Sequence, residues 1–254
     1  MSVIDASVVL RLRAAGCVFA EDEARLLLEA ASTATDLESL VARRVSGEPL
    51  EQLLGWAEFC GLRIAVSLGV FVPRRRTEFL VETAATLCHP DAVVVDLCCG
   101  SGAVGAALLA AVPGLQLTAA DVDPAAVACA RQNLPGVPVF EGDLFAALPA
   151  GLRGRVDVLV ANVPYVPTDA ITLMPPEARD HEPPTALDGG PDGLDVARRM
   201  VAEAPAWLSP IGSLLFETSE EQSAAAVAAV GAAGLTARVA TDDERGATVV
   251  VGTR

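Results

Sequence analysis
The segment Val93-Val94-Val95-Asp96-Leu97-Cys98-Cys99-Gly100-Ser101-Gly102-Ala103-Val104-Gly105 reads as a buried strand, a tight turn and the opening of a helix. The valines form a continuous β-branched run, the signature of a strand covered on both faces. Asp96 stands where that run ends. Gly100 and Gly102 supply the positive φ angles and close backbone approach that a ligand-binding turn needs. The helix that follows, Ala103–Ala111, offers its N-terminus to a polar or anionic group.

The same rhythm continues on the C-terminal side. Strand Leu115–Ala120 precedes helix Pro124–Gln132, and strands Val137–Phe140 and Val156–Ala161 follow. Residues 162–192 carry no clear element. Helix Leu194–Ala204, strand Ser213–Glu217, an Ala-rich helix Glu220–Ala233 and two last strands finish the chain. Strands alternating with helices predict an α/β fold with a doubly wound, mostly parallel sheet. N-terminally, residues 1–45 read as a small helical domain. It has two short amphipathic helices around Leu26–Ala31 and Leu37–Val41, broken at Ser32–Asp36. Residues 46–72 read as a β-hairpin linker, with Leu62, Ile64 and Val66 alternating and Gly69 as the turn. Residues 73–254 form the third and largest domain.

In doubly wound sheets ligands bind at the carboxyl ends of strands, which directs attention to Asp96, Asp121 and Ala161. Asp121, beside Val122, lies nineteen residues after Gly102 and suits the two hydroxyls of a ribose. Asp143 could accept from an adenine amino group while the Leu144 N–H faces a ring nitrogen. Gly100-Ser101-Gly102-Ala103-Val104-Gly105 matches the dinucleotide fingerprint. An acid four residues before the first glycine is, however, the pattern of S-adenosylmethionine sites. There the carboxylate faces the methionine ammonium, whereas it would repel a pyrophosphate. The pattern favours S-adenosylmethionine held by Asp96, Cys98, Cys99, Gly100, Ser101, Gly102, Asp121, Val122, Asp143, Leu144 and Asn162. A dinucleotide, or a turn that is only structural, are the alternatives.

At the third strand end stands Asn162-Val163-Pro164-Tyr165, which holds the only tyrosine of the chain and opens the long irregular stretch. Taken alone it is an ordinary Asn/Pro turn. Beside a nucleotide-type site it has chemical meaning. An amide or exocyclic amine nitrogen is a poor nucleophile because its lone pair is delocalised. The Asn162 oxygen and the Val163 carbonyl could accept its two N–H groups and orient it toward a methyl sulfonium. Tyr165 could stack on the planar acceptor.

Of 254 residues, 52% are hydrophobic and 20% charged, which suits a well-cored globular chain. The net charge is −15 and every base is Arg. Such acidity argues against tight phosphate-backbone binding. Six cysteines without a CxxC pair and only two histidines exclude zinc spacing, so no metal is expected. No apolar run reaches spanning length, and the N-terminus lacks a basic signal region. The expected address is the cytoplasm.

Taken together, DLCCGSG, the Asp121 strand end, EGDLF and NVPY resemble the HemK-type protein-(glutamine-N5) methyltransferases, which are class I S-adenosylmethionine-dependent enzymes. Pro73-Arg74-Arg75-Arg76-Thr77-Glu78 is similar to the family's PRPETE segment. Gly47-Glu48-Pro49-Leu50 and Glu58-Phe59-Cys60-Gly61-Leu62 are similar to its hairpin region. His181-Glu182-Pro183 and Ala186–Leu194 are similar to its loop after NPPY, and Leu214-Leu215-Phe216-Glu217 to a later strand. The resemblance covers residues 40–254. It implies a seven-stranded sheet, S-adenosylmethionine as cofactor, and methylation of a glutamine side chain in a peptide-chain release factor, with Asn162, Val163, Pro164 and Tyr165 holding the amide.

This sequence departs from the family at four places, one of them Arg75-Arg76 where PRPETE has Pro-Glu, readable as solvated surface or as contact with an acidic partner or a cofactor carboxylate. NPPY reads NVPY, but Val163 still precedes Pro164, so its backbone stays extended. Cys98-Cys99 replaces Gly-Thr, and Cys98 must adopt angles that suit glycine. The helical N-terminal part is some tens of residues shorter than the family's docking domain. Alternative readings are a small-molecule or nucleobase N-methyltransferase, a dinucleotide-dependent oxidoreductase, and a non-catalytic binding protein.

Overall fold
The structure is a computed structural model and describes residues 6–254. Asp5, which precedes the first apolar run, lies outside the described residues. Three helices precede residue 46 where two were expected: α1 (Ala6–Ala14), α2 (Ala20–Ala30) and α3 (Ala34–Val45). The additional helix, α1, buries Val8, Val9 and Leu12, a pattern too short to stand out in sequence. The expected break is present. Thr33 caps α3 by accepting from the Asp36 N–H at 3.1 Å. These helices close on their own apolar cluster, which includes Leu12, Leu27 and Val41. A short α4 (Leu50–Leu54) follows.

The hairpin is β1 (Trp56–Phe59) and β2 (Leu62–Ala65), paired antiparallel with Phe59 opposite Leu62. Its reversal is at Cys60-Gly61, not at the predicted Gly69. Both turn residues have positive φ, 50° and 71°, as a two-residue loop between right-twisted strands requires. Gly69 makes a separate turn after the strand has ended.

α5 (Glu78–Ala85) leads into the alternation β3 (Val93–Leu97), α6 (Ala103–Ala111), β4 (Gln116–Asp121), α7 (Pro124–Asn133), β5 (Val139–Glu141) and β6 (Val156–Ala161). The 162–192 stretch is less irregular than expected. It holds a 3₁₀ segment Thr168–Leu173, α8 (Pro176–His181) and α9 (Pro184–Leu187). Then come α10 (Asp195–Glu203), β7 (Leu208–Thr218), α11 (Ser223–Ala232), β8 (Thr236–Asp242) and β9 (Ala247–Thr253). The seven-stranded sheet runs β5-β4-β3-β6-β7-β9-β8, with β9 antiparallel to both of its neighbours.

Alternation along the strands sends side chains to two covered faces. Val94, Val158, Val160, Leu215 and Val251 meet α5, α6 and α7 on one side. Val95, Leu159, Leu214, Phe216 and Val250 meet α10 and α11 on the other. The strand order reverses between β3 and β6, and the loops after β3, β4 and β6 gather at that point. Among the described residues no helix is long and apolar enough to cross a membrane.

Candidate active site
A cavity of about 1040 Å³, its open mouth included, lies at the tips of β3, β4 and β6. Asp96, Cys98, Cys99, Gly100, Ser101, Asp121 and Val122 wall one part of it. Asn162, Val163, Pro164 and Tyr165 wall another. The fold thus joins the two predicted half-sites. Gly102 is absent from the wall and serves packing instead. With φ +78°, it leaves so little room that a Cβ would lie 2.9 Å from Leu134 Cδ1. Asp143 and Leu144 are not brought into the cavity either. The Asp143 carboxylate is exposed and paired with Arg199 of α10, and Leu144 packs inward.

The glycine turn is held by the two aspartates. Asp96, 1% exposed, accepts the Gly105 N–H at 2.8 Å. Burial, reinforced by the Asp121 charge, pushes its carboxyl up to about 7, against the Gly105 hydrogen bond. Asp121 accepts the Gly100 N–H at 2.8 Å and the Asp123 N–H at 2.9 Å. Burial raises its pKa as well, opposed by those hydrogen bonds. Cys98 adopts φ +56°, the left-handed angle expected of a glycine replacement. Burial and the nearby Asp121 and Asp96 charges raise both thiols well above their ordinary range, so they are protonated at neutral pH.

At the Asn162-Val163-Pro164-Tyr165 turn, Asn162 Nδ2 donates to the buried Thr77 Oγ1 at 3.4 Å. The Asn162 oxygen and the Val163 carbonyl accept no hydrogen bond among the described residues. Two acceptors therefore stand ready at the same wall. Tyr165 donates its O–H to Glu217 Oε1 at 2.7 Å.

Sequence reasoning missed the groups that fasten this wall. Arg76 pairs with the buried Glu217 at 3.2 Å, and Arg74 pairs with the buried Glu182 at 2.5 Å. The sequence leaves Arg75 and Arg76 as solvated surface or as contacts for an acidic partner or a cofactor carboxylate; of the triplet only Arg75 is exposed without an internal ion pair among the described residues. Glu182, readable as a loop cap or a substrate contact, also accepts the Val72 N–H at 3.0 Å and so ties the 162–192 segment to the stretch that follows the hairpin. Asn133 joins the hairpin to the turn by donating to the carbonyls of Ala65 and Ser101. The only sequence signal was the motif resemblance of PRRRTE and HEP, which names positions without pairing them.

The residues present fit S-adenosylmethionine. Asp96 is a buried carboxylate with no cation against it among the described residues, which suits an ammonium. A Cβ at Gly100 would meet nothing within 4 Å, so the turn borders open space. The methyltransferase small domain family matches residues 62–174. A release factor glutamine methyltransferase of Geobacter sulfurreducens is 39% identical over 219 residues, 85% of this chain and 76% of that protein. That of Mycolicibacterium smegmatis is 43% identical over 196 residues, 76% of this chain and 69% of that protein. In fold alone, the ribosomal protein L11 methylase of Lactobacillus delbrueckii subsp. bulgaricus aligns with a TM-score of 0.55 at 14% identity, covering 75% of this chain and 84% of that one. The glycine turn therefore belongs to a methyltransferase and not to a dinucleotide oxidoreductase, and the chain is a member of the release factor glutamine methyltransferase family.

Proposed function
We propose that this enzyme methylates the side-chain amide nitrogen of a glutamine in a peptide-chain release factor, in the cytoplasm. The observation that carries the reading is the pair of idle acceptors, Asn162 Oδ1 and the Val163 carbonyl, in the cavity that also holds the glycine turn. Bound S-adenosylmethionine supplies an electrophilic methyl on a sulfonium and leaves as S-adenosylhomocysteine. Asp96 would face its ammonium, and Asp121, with lone pairs left after its two backbone hydrogen bonds, its ribose. Asn162 and Val163 accept the two amide N–H groups, which turns the nitrogen lone pair toward the methyl. They also stabilise the positive charge that grows on nitrogen as the N–C bond forms. The surplus proton then leaves to water. The Tyr165 ring flanks the amide plane. In this reading residues 1–45 form a helical docking domain, 46–72 a hairpin linker and 73–254 the catalytic domain.

Incubation with isotopically labelled cofactor and purified release factor, followed by mass spectrometry, tests the proposal. One glutamine should gain one methyl group. Asn162→Ala should abolish transfer while cofactor affinity stays within about tenfold. Methylation of another residue type, or equal loss of both properties in the variant, contradicts the assignment.

A further inference from the structure
Behind Tyr165 lies a second, open cavity of about 950 Å³, its open mouth included, walled by Arg76, Tyr165, Glu217, Glu220, Asp242 and neighbouring residues. Arg76 and Tyr165 also line the amide site, so they form the partition between the two cavities. Glu217, near the end of β7, stands behind that partition and is 1% exposed. Its Oε1 accepts the Tyr165 O–H at 2.7 Å and forms an ion pair with the Arg76 guanidinium, whose Nε lies 3.2 Å away. The Arg76 guanidinium lies 5.8 Å from the centre of the Tyr165 ring. Glu217 Oε2 is buried with no hydrogen-bond partner among the described residues.

A buried carboxylate with one idle oxygen is a poor choice for stability, because each unsatisfied polar atom is costly and a well-packed apolar side chain would fill the same space. Its retention points to a task at the partition. The other end of Tyr165 is fixed too. Gln222 Nε2 donates to the Tyr165 carbonyl at 2.8 Å, and Gly193 crowds that carbonyl so closely that a Cβ would lie 2.3 Å from it. The backbone is anchored on one side and the hydroxyl on the other, so the ring is tied at both ends.

We propose that Glu217 is a positioning residue for methyl transfer: it locks the Tyr165 ring and Arg76 as one rigid wall against which the substrate amide is oriented. This rests on the proposed glutamine methylation. The carboxylate does not touch the amide; it acts through the ring.

Tyr165 is the only tyrosine, so phenolate absorbance in an alkaline titration reports on it alone. Burial first, and the Glu217 charge second, hold its ionisation well above the ordinary value of 10. The experiment compares the full chain with E217Q, Y165F and the double variant. E217Q keeps the shape and an acceptor but loses the charge, so folding is preserved. In E217Q the phenol should titrate at lower pH than in the wild type. Its kcat should fall about tenfold, with KM and cofactor Kd within about threefold. The double variant should be no worse than the poorer single one, because both changes break the same link. An unmoved titration, an unchanged kcat, a loss confined to KM, or additive losses would each overturn the positioning role while glutamine methylation by the wild type stands. A wild type that methylates no glutamine overturns the proposed function and this role with it. Titration and cofactor Kd, which need no turnover, still show whether Glu217 holds the ring.

Discussion

Replacing Asp96 by Asn should stabilise the ligand-free protein, and more so as pH rises. The Asp96 carboxyl is 1% exposed and pushed from an ordinary 3.8 up to about 7, chiefly by burial. Its pKa is raised on folding, so the native state holds a proton that the unfolded state has released. Stability from this group is therefore full below pH 3.8 and is lost as pH climbs through 7. The whole shift of about 3 pH units corresponds to about 4 kcal/mol, and the part lying between pH 5 and pH 8 to about 3 kcal/mol. Asparagine has nearly the same shape, offers an oxygen to the Gly105 N–H, and does not titrate. Urea unfolding of both proteins without cofactor, from about pH 5 to about pH 8, measures the difference directly. The other titrating groups are common to both and cancel. The Asp96→Asn variant should gain about 3 kcal/mol over the wild type across that interval. A difference that stays constant with pH would refute the argument that Asp96 is a desolvated carboxylate without a cation. The same logic gives a signature for binding: an ammonium favours the ionised carboxylate, so cofactor affinity of the wild type should rise with pH up to about 7 and that of Asp96→Asn should not.

Gly102→Ala should lower stability by about 2–4 kcal/mol, because a left-handed φ and a Cβ crowding Leu134 and Ala130 act together; thermal unfolding reads this, and an unchanged Tm contradicts it. Arg44 is buried between Glu23 and Glu177, each at 2.6 Å. Arg44→Met should cost about 3 kcal/mol by stranding the Glu23 carboxylate, and should loosen α8, so that protease cleavage within 162–192 speeds up. Val163→Pro should keep or raise activity toward glutamine, since both residues hold an extended backbone before Pro164; a collapse in kcat would show that the site is built around valine.

The elements around the glycine turn could be read closely because their causes are local. The β-branched run before Asp96, and the apolar helix after Gly102, set β3 and α6 within a residue of where they stand. β6 is bounded by a charged segment and by Asn162-Val163-Pro164, which also act locally. The hairpin turn was misplaced because Cys60-Gly61 carries no strong turn signature, and one of its two positive φ angles falls on a non-glycine residue. The short helices of 162–192 were invisible because four to six residues give no periodicity.

From the sequence alone came the order of the strands and of the longer helices that flank the sheet, the doubly wound sheet itself, and the two half-sites, at the glycine turn and at NVPY. Each follows from side-chain spacing or from the backbone preferences of Gly and Pro over a few residues. Only the tertiary structure paired Glu182 with Val72 and Arg74, Tyr165 with Glu217, and Asn162 with Thr77, partners 110, 108, 52 and 85 residues apart. It also turned Asp143 to Arg199 and Gly102 to packing. Those choices depend on which strand tips the sheet order brings together and on which charges must find partners once water is excluded, and neither condition exists until the chain has folded.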